Sequence, residues 1–265
     1  MKLKKFNNIK ILVATHKKAW FPDDPVYLPI QLGSNIHKNF GVLTDNTGEN
    51  ISNKQPYYSE LTAIFWAWKN LHCDYIGLNH YRRYFVKNNI LFFEDYKKYI
   101  LKDDDFKAIL EKTDVILPQK RNYYFINRFQ HYKYQHNIND LLKCRELIKE
   151  LHPEYLKYFD EEMHKCSGHI CNMFVMKKEV FDDYCRWLFS ILFNLENKIN
   201  LKNRDEYQKR IFGYIAERLL DVWIAKNKIN YIELPYVNIE GNGIAKKLLK
   251  LLCNVLYFYY RKFIK

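Results

Sequence analysis

The sequence predicts one mixed α/β domain, built on a Rossmann-type sheet with helices on its faces. Two observations carry this prediction. In the first 85 residues, apolar runs and a helical pattern follow one another as strand, loop, helix, strand, the βαβ order of α/β proteins. Hydrophobic residues make up 48% and aromatic residues 17% of the 265 residues. This composition is typical of a folded chain, and we expect the domain to span residues 1–241.

The first predicted strand is the apolar run in KILVATHKK, which stops at polar residues as a buried parallel strand does. The next segment, FPDDPVYLPI, contains three prolines and predicts a loop, and LTDNTGENIS carries turn residues. In PYYSELTAIFWAWKNL, the residues Leu61, Ile64, Phe65 and Trp68 have the spacing of one helical face. The strand DYIGL follows this helix.

The second half of the chain continues the alternation of helices and strands. DDDFKAILEKTDVILPQK predicts a helix and then a strand over Asp114–Leu117 that Pro118 ends. Residues 119–165 are aromatic and mostly helical in pattern, and predict an inserted lid or acceptor-binding subdomain. GHICNMFVMKKEVFDDYCRWLF predicts a strand and a helix, DEYQKRIFGYIAERLLDVWIAKN one long amphipathic helix, and INYIELP a last strand.

The balance of charges limits the classes of partner. The formal net charge of +13 favours anionic partners, such as phosphorylated small molecules, anionic lipids or nucleic acid. No helix-turn-helix, zinc-finger or RNA-binding pattern occurs, so we expect no nucleic-acid partner. The six cysteines form no CxxC pair, and most are expected to be small apolar side chains in a reduced cytoplasm.

The C-terminal residues 242–265 differ from the rest in pattern. AKKLLKLLCNVLYFYYRKFIK has basic ends around an apolar and aromatic middle, which predicts a basic amphipathic helix in a membrane interface. An ordinary packing helix is the alternative, because the middle is apolar nearly all round. No run of 18 apolar residues occurs, so we expect a cytoplasmic protein that is peripheral to the membrane.

Two predicted strands end in cationic and aromatic residues. His80, Tyr81, Arg82 and Arg83 follow DYIGLN, and His16 with the lysines after it follows the first strand. In open α/β sheets, ligands bind beyond the carboxyl ends of the strands, so both groups are expected to face one crevice. Fixed cations there would neutralise a departing diphosphate without a metal. The alternative is that the arginines are solvated and that His80 is a core imidazole.

A sugar transfer that inverts the stereocentre needs one carboxylate as general base. The candidates are Asp45, Glu49, Glu60, Asp205, Glu206 and Glu217. Most carboxylates in any protein are merely solvated. Glu217, with Arg218, stands amid an apolar helix face, which indicates a partly buried charged pair of functional or structural kind.

Histidines in the insertion are candidates for binding an acceptor. His131 and His136 are five residues apart and share no helical face, which makes a metal site between them improbable. Their aromatic neighbours would stack on a sugar ring, although packing is the commoner use of such side chains. His169 and Asn172, in GHICNMF, are further acceptor candidates.

Six segments together resemble a known family. They are ILVATHKKAWFPDDPVYLPIQLG, LTDNTGENIS, YYSELTAIFWAWKN, YIGLNHYRRYF, CNMFVMKKEVFDDYCRWLF and YQKRIFGYIAERLLDVWI, in this order between about residues 9 and 240. They resemble a bacterial family long labelled only as a domain of unknown function and found in capsule, exopolysaccharide and O-antigen gene clusters. The resemblance implies a GT-A-like fold. It also implies transfer of β-galactofuranose from UDP-galactofuranose to a lipid-linked glycan at the cytoplasmic membrane face.

The resemblance also implies roles for residues. Thr15 and His16, with Lys17, would lie at the nucleotide end of the donor, and HYRR would replace the usual metal-binding acids. Further donor-side positions are Asp45, Asn50, Glu60, Thr62 and Arg218. The base in such enzymes lies near the start of the helix after the acceptor-side strand, which favours Asp205 over Glu206, with Glu217 as the rival.

Two alternatives to this function remain open. One is a glycosyltransferase whose donor is another nucleotide sugar, such as UDP-galactopyranose, and the other is a non-catalytic glycan- or lipid-binding subunit of an assembly complex. We expect no required metal cofactor, but Asp23, Asp24 and Asp45 leave room for a divalent ion in the crevice.

Overall fold

The structure is a computed structural model that describes residues 8–88 and 96–240. Its strands are β1 (Ile9–Thr15), β2 (Tyr27–Gln31), β3 (Leu43–Thr44), β4 (Tyr75–His80), β5 (Arg83–Phe85), β6 (Val115–Pro118), β7 (Arg121–Asn122), β8 (Ser167–Gly168), β9 (Phe174–Lys177), β10 (Ile232–Leu234) and β11 (Tyr236–Asn238). Its α-helices are α1 (Gln55–Tyr58), α2 (Leu61–Asn70), α3 (Asp103–Leu110), α4 (Arg128–Gln135), α5 (Ile138–Leu151), α6 (Leu156–His164), α7 (Lys178–Glu196), α8 (Glu206–Lys209) and α9 (Ile211–Asn227).

The main sheet has the order β10-β6-β9-β4-β1-β2-β3, and β5 and β11 extend it beside β4. Strand β9 runs antiparallel to its neighbours β4 and β6, and the other pairs along this path are parallel. The carboxyl ends of β1, β2, β4, β6 and β10 therefore meet at one edge. The segment that enters β9 comes to the same edge because β9 runs the other way.

Alternate side chains of the sheet enter two hydrophobic cores. Leu12 of β1 and Leu78 of β4 point to the face covered by α2, α7 and α9. Val13 of β1 and Tyr75 of β4 point to the opposite face, where α3 packs with Phe106. The alternation follows from the two-residue period of a strand. The predicted mixed α/β sheet flanked by helices is confirmed.

The segment that contains Pro29 was predicted as a loop and is instead strand β2. Strand β3 pairs only with Ile30 and Gln31 of β2. At Pro29 the outer side of β2 is therefore open, and an edge position tolerates a residue without an N–H group. Two predicted helices are also divided. The first breaks at Ser59, which has φ of 51°, and the last breaks at Arg210 between α8 and α9.

Residues 119–165 contain α4, α5 and α6, which pack into the same core as α7 and α9 through Tyr132, Leu147 and Phe159. Their action as a lid stays a prediction. Residues 242–265, for which we predict a basic amphipathic helix, lie outside the described residues. Within the described ranges, no helix is both long and apolar enough to cross a membrane.

Candidate active site

Five chain segments meet at the carboxyl edge of the sheet. His16 and Lys17 follow β1, the HYRR segment ends β4, and Arg121 lies just beyond β6. Tyr236 lies beyond β10, and the turn at Cys171–Asn172 leads into β9. The two predicted polar strand ends thus lie at one edge, as expected from the parallel pairing of β1 with β4.

One side of this crevice is cationic. The ammonium nitrogen of Lys17 lies 4.9 Å and the guanidinium carbon of Arg82 lies 5.7 Å from the centre of the Tyr81 ring. The exposed His16 ring packs edge-on against the same ring, with centroids 5.5 Å apart. Burial lowers the pKa of His16, and the charges of Lys17, Arg210 and Arg82 lower it further. Three cations therefore surround an imidazole that is neutral at neutral pH.

These cations have few protein partners. Glu240 accepts a hydrogen bond from Lys17 at 3.0 Å and lies 3.9 Å from Arg82. Arg210 donates only to the hydroxyl of Ser59, at 3.0 Å, among the contacts of the described residues. Glu240 is thus shared by Lys17 and Arg82, and Arg210 has no ion pair within the described residues, which leaves net positive charge that suits a diphosphate.

A strained turn shapes the other side of the crevice. Cys171 and Asn172 both have left-handed backbone conformations, with φ of 72° and 48°. The Cys171 carbonyl accepts from His80 Nε2 at 2.6 Å, and the Cys171 N–H donates to Glu217 at 2.9 Å. The Asn172 amide donates to Glu60 at 2.7 Å. Such strain costs roughly 1–3 kcal/mol per residue and is common at functional sites, where it fixes side chains in place.

The environment of His80 opposes a positive charge on its imidazole. Burial lowers its pKa, and Arg83 and Arg82 lower it further against the opposing effect of Glu60. The imidazole is neutral at neutral pH and donates its Nε2 proton to the Cys171 carbonyl. A neutral imidazole adds no positive charge for a diphosphate, so this geometry favours the alternative of a core imidazole, and the donor-side role of His80 stays a prediction. Arg83 is close enough to act electrostatically on both His80 and Glu217.

Glu217 is the carboxylate that the crevice places among these groups. Its side chain is 20% exposed and accepts hydrogen bonds from the Cys171 N–H and, at 2.9 Å, from Arg218. Burial raises the pKa of Glu217; Arg218 opposes this rise and Glu60 adds to it. A held, partly exposed carboxylate with a raised pKa is suited to act as a general base.

Asp205 and Glu206 lie at the start of α8 and are exposed. Asp205 caps this helix by accepting from the Gln208 N–H at 2.7 Å. Glu206 pairs with Lys209 at 2.6 Å. Both carboxylates thus have local structural roles on the surface, and the geometry favours Glu217 over the expected Asp205.

Several residues that were predicted to bind the donor instead make hydrogen bonds inside the protein. Asp45 is fully buried and accepts from the N–H groups of Gly33 and Ser34 and from two hydroxyls, those of Ser52 and Thr62. Its oxygens are therefore occupied inside the protein.

The side chains of Thr15 and Asn50 hydrogen-bond to nearby backbone groups. The Thr15 hydroxyl is fully buried and hydrogen-bonds to the Lys17 backbone. Asn50 accepts from the Ser52 N–H and donates to the Gly48 carbonyl. These hydrogen bonds fix the loops after β1 and β3, and they occupy the side chains of Thr15 and Asn50 with the protein's own backbone.

The burial of Arg218 and His169 favours structural roles, and their predicted binding roles stay predictions. Arg218, 4% exposed, donates to Glu217 and contacts His131 Nδ1 at 3.1 Å, so it orients the carboxylate. His169 is 1% exposed and hydrogen-bonds to Asp221, which pairs with Arg128 at 2.8 Å. This buried network joins α4, α9 and β8 and is structural.

The other acceptor candidates are partly turned inward. His136 stacks on Tyr214, with centroids 4.0 Å apart, and burial lowers its pKa to about 4. The His131 ring packs against Tyr123 at a tilt of 42°, with centroids 4.3 Å apart. Asn172, which is buried, holds Glu60. The sequence shows these residues as polar, but only the fold shows which of their atoms are occupied.

Possible metal ligands are dispersed in the described structure. In the parts of the chain that the structure describes, no three His, Cys, Asp or Glu side chains lie together as a metal site. Asp24 caps the entry to β2 by accepting from the Val26 N–H, and the Val26 carbonyl accepts from Ile11 near the start of β1. Asp24 therefore lies at the opposite edge of the sheet and does not approach the crevice. That the protein requires no metal stays a prediction.

Sequence reasoning missed Arg210 and Cys171. Arg210 precedes α9 and joins the cationic side only because the helix breaks there. Cys171 contributes through its backbone N–H and carbonyl, which no side-chain pattern reveals. The signal that was available is the basic residue at a helix start in YQKRIF.

Comparison with known proteins places this geometry in a family. Residues 10–228 match the family described as "Domain of unknown function (DUF4422)", and the chain belongs to that family. No curated protein matches. The chain is similar to a solved structure titled "WbbM bifunctional glycosytransferase apo structure", with 33% identity and a TM-score of 0.81. The match covers 89% of this chain and 47% of the other, so this chain spans about half of that one.

The fold match supports the architecture in particular. With this similarity, the mixed sheet flanked by helices is a GT-A-like fold, as the sequence predicted. A second structure, of the mannosyltransferase Ktr4p from S. cerevisiae in complex with GDP, has 10% identity and a TM-score of 0.37 over 89% of this chain and 74% of that one. At that level it adds nothing to the argument.

Proposed function

We propose that this chain is an inverting glycosyltransferase that transfers β-galactofuranose from UDP-galactofuranose to a sugar hydroxyl of a lipid-linked glycan in capsule, exopolysaccharide or O-antigen synthesis. One observation carries the proposal: a group of cations and a held, partly exposed carboxylate share one crevice of a GT-A-like fold. The family resemblance noted in the sequence supports the choice of galactofuranose. The similarity to the WbbM glycosyltransferase supports the class of reaction.

In the proposed reaction, Glu217 accepts the proton of the acceptor hydroxyl while the acceptor oxygen attacks the anomeric carbon. The bond from that carbon to the diphosphate oxygen breaks, and UDP leaves from the opposite face with its electron pair. Lys17, Arg82 and Arg210 stabilise the negative charge of the leaving diphosphate. Arg83, which acts electrostatically on both His80 and Glu217, is the residue that we propose holds the reacting sugar.

No three potential metal ligands lie together in the described part of the site, and we propose that cations take the role of a metal in this reaction. The test is the release of UDP from purified protein given UDP-galactofuranose or UDP-galactopyranose, with a galactose-terminated acceptor and with or without EDTA. The proposal predicts release with the furanose donor that EDTA does not change.

The other possible results contradict different parts of the proposal. Release of UDP with the pyranose donor alone would mean that the enzyme is a glycosyltransferase with a different donor sugar. Loss of release in EDTA would assign the diphosphate to a metal ion and contradict the cationic mechanism. A protein that binds UDP but transfers no sugar from either donor would support a binding subunit.

A further inference from the structure

Two adjacent aromatic rings stand exposed on the loop between β7 and α4. Tyr124 is 59% exposed and Phe125 is 60% exposed, the highest values among the large hydrophobic side chains of the described residues. Their ring centroids are 6.4 Å apart. Exposed aromatic pairs of this kind lose contact with water when a ligand covers them, so they mark a surface for binding.

The loop that carries the rings is held in place. The Tyr123 N–H donates to the Cys166 carbonyl at 2.7 Å, and the Tyr124 N–H donates to the Asn122 side chain at 2.7 Å. The Tyr123 ring is buried and packs against the His131 ring in a tilted arrangement. The two exposed rings are therefore carried by a loop that is held in place, which lowers the entropic cost of binding.

The contacts beneath this loop continue to Glu217, the candidate general base. His131, under Tyr123, contacts Arg218 at 3.1 Å, and Arg218 donates to Glu217 at 2.9 Å. Arg121, at the start of the loop, lies with its guanidinium carbon 5.3 Å from the centre of the Tyr123 ring. Within residues 8–88 and 96–240, the Arg121 guanidinium has neither a hydrogen bond nor an ion pair, so its donors are available to a ligand.

We propose that Arg121, Tyr124 and Phe125 form the subsite for the acceptor glycan. A sugar ring has an apolar C–H face and a rim of hydroxyls, and this surface offers aromatic rings beside a free donor. Burial raises the pKa of the hydroxyl of Tyr123, which precedes the two rings, and Glu217 is close enough to raise that pKa further. This proximity favours a glycan over a protein partner, because a sugar held next to Tyr123 would come near the group that takes its proton. The inference rests on the proposed function and names the acceptor side of the same site.

The experiment measures binding of octyl β-galactopyranoside by NMR titration in the presence of UDP, so that it does not depend on turnover. The variants are Arg121→Gln and the double variant Tyr124→Asn with Phe125→Ser. Asparagine is chosen because Tyr124 has φ of 58°, a conformation that asparagine adopts readily. Leu151→Ser is the matched control, since Leu151 is an exposed apolar residue, 38% exposed, at the end of α5.

We expect the dissociation constant of the galactoside to rise about 10-fold in the double variant and several-fold in Arg121→Gln. The dissociation constant of UDP should stay unchanged in both, and Leu151→Ser should bind like the wild type. Unchanged galactoside binding in the double variant, or no binding to the wild type, would overturn the subsite. Galactoside binding that these variants weaken, in a protein that transfers no sugar, would keep the subsite and reject the proposed reaction.

Discussion

Glu217 shows how a single side chain acquires its chemistry from the backbone around it. A solvated glutamate has a pKa near 4.3, and burial raises that of Glu217. Two donors, the Cys171 N–H and Arg218, hold the carboxylate in one orientation. The resulting base is fixed, partly exposed and a better proton acceptor than an ordinary surface glutamate.

Replacing this carboxylate by an amide tests its role at constant shape. We expect Glu217→Gln to lower the turnover number about 100-fold or more, because a general base contributes roughly 10²–10⁴-fold. Asp205→Asn should keep both its turnover and its stability, because asparagine accepts the capping hydrogen bond of α8 as well as aspartate does. Steady-state kinetics of both variants, with circular dichroism as the folding control, decides between the two carboxylates. Full activity of Glu217→Gln would reject this base.

The raised pKa of Glu217 also predicts a pH dependence. The base acts as a carboxylate, so activity is present above its pKa and is lost as the pH falls through it. Because the pKa is raised, the acid limb of kcat/KM should lie above pH 4.5. A profile of kcat/KM between pH 4 and 8 measures the midpoint of this limb. A midpoint at or below 4.5 would contradict the raised pKa.

At the scale of the elements, Gly77 in β4 and Gly213 in α9 differ in how closely their neighbours approach. A Cβ added at Gly77 of β4 would lie 2.9 Å from the Phe174 backbone carbonyl of β9. A Cβ added at Gly213 of α9 would lie 3.6 Å from the Ser59 side chain, an ordinary contact. Only the first contact forces backbone to move.

The two glycines therefore predict opposite effects of alanine. Gly77→Ala should destabilise the fold by about 1–3 kcal/mol, because a strand pair must separate. Gly213→Ala should stabilise it by about 0.5–1 kcal/mol, because alanine loses less backbone entropy in a helix. Chemical denaturation of the two variants measures both signs in one assay. A stable Gly77→Ala would mean that β4 and β9 lie further apart than described.

The sequence predicts those parts of the molecule that depend on local pattern. The period of apolar residues predicts β1, β4 and the helices, and the order of elements predicts that HYRR and the residues after β1 share a crevice. It does not reveal β2, because the tolerance of Pro29 depends on the short length of β3. It does not select Glu217, because that requires knowing that the turn before β9 reaches α9.

Over the whole molecule, the formal charge of +13 acts through a few side chains. Several surface cations of the described chain pair with a neighbouring carboxylate, as Arg186 does with Asp183 at 2.6 Å. Lys17, Arg82 and Arg210 are instead all close enough to His16 to lower its pKa, and Lys17 and Arg82 share one carboxylate, Glu240. We assign this local excess of positive charge to the diphosphate of the donor.

Calorimetric titration of UDP into the protein and two variants tests this claim most directly. Arg82→Ala removes one cation of the crevice, and Arg186→Ala removes a surface cation of α7 as the matched control. We expect Arg82→Ala to weaken UDP binding about 10-fold, near 1.4 kcal/mol, and Arg186→Ala to bind as the wild type does. Wild-type affinity should fall as the salt concentration rises, because salt screens exposed charges. UDP that binds Arg82→Ala as tightly as it binds the wild type would contradict the assignment of the crevice to the donor diphosphate.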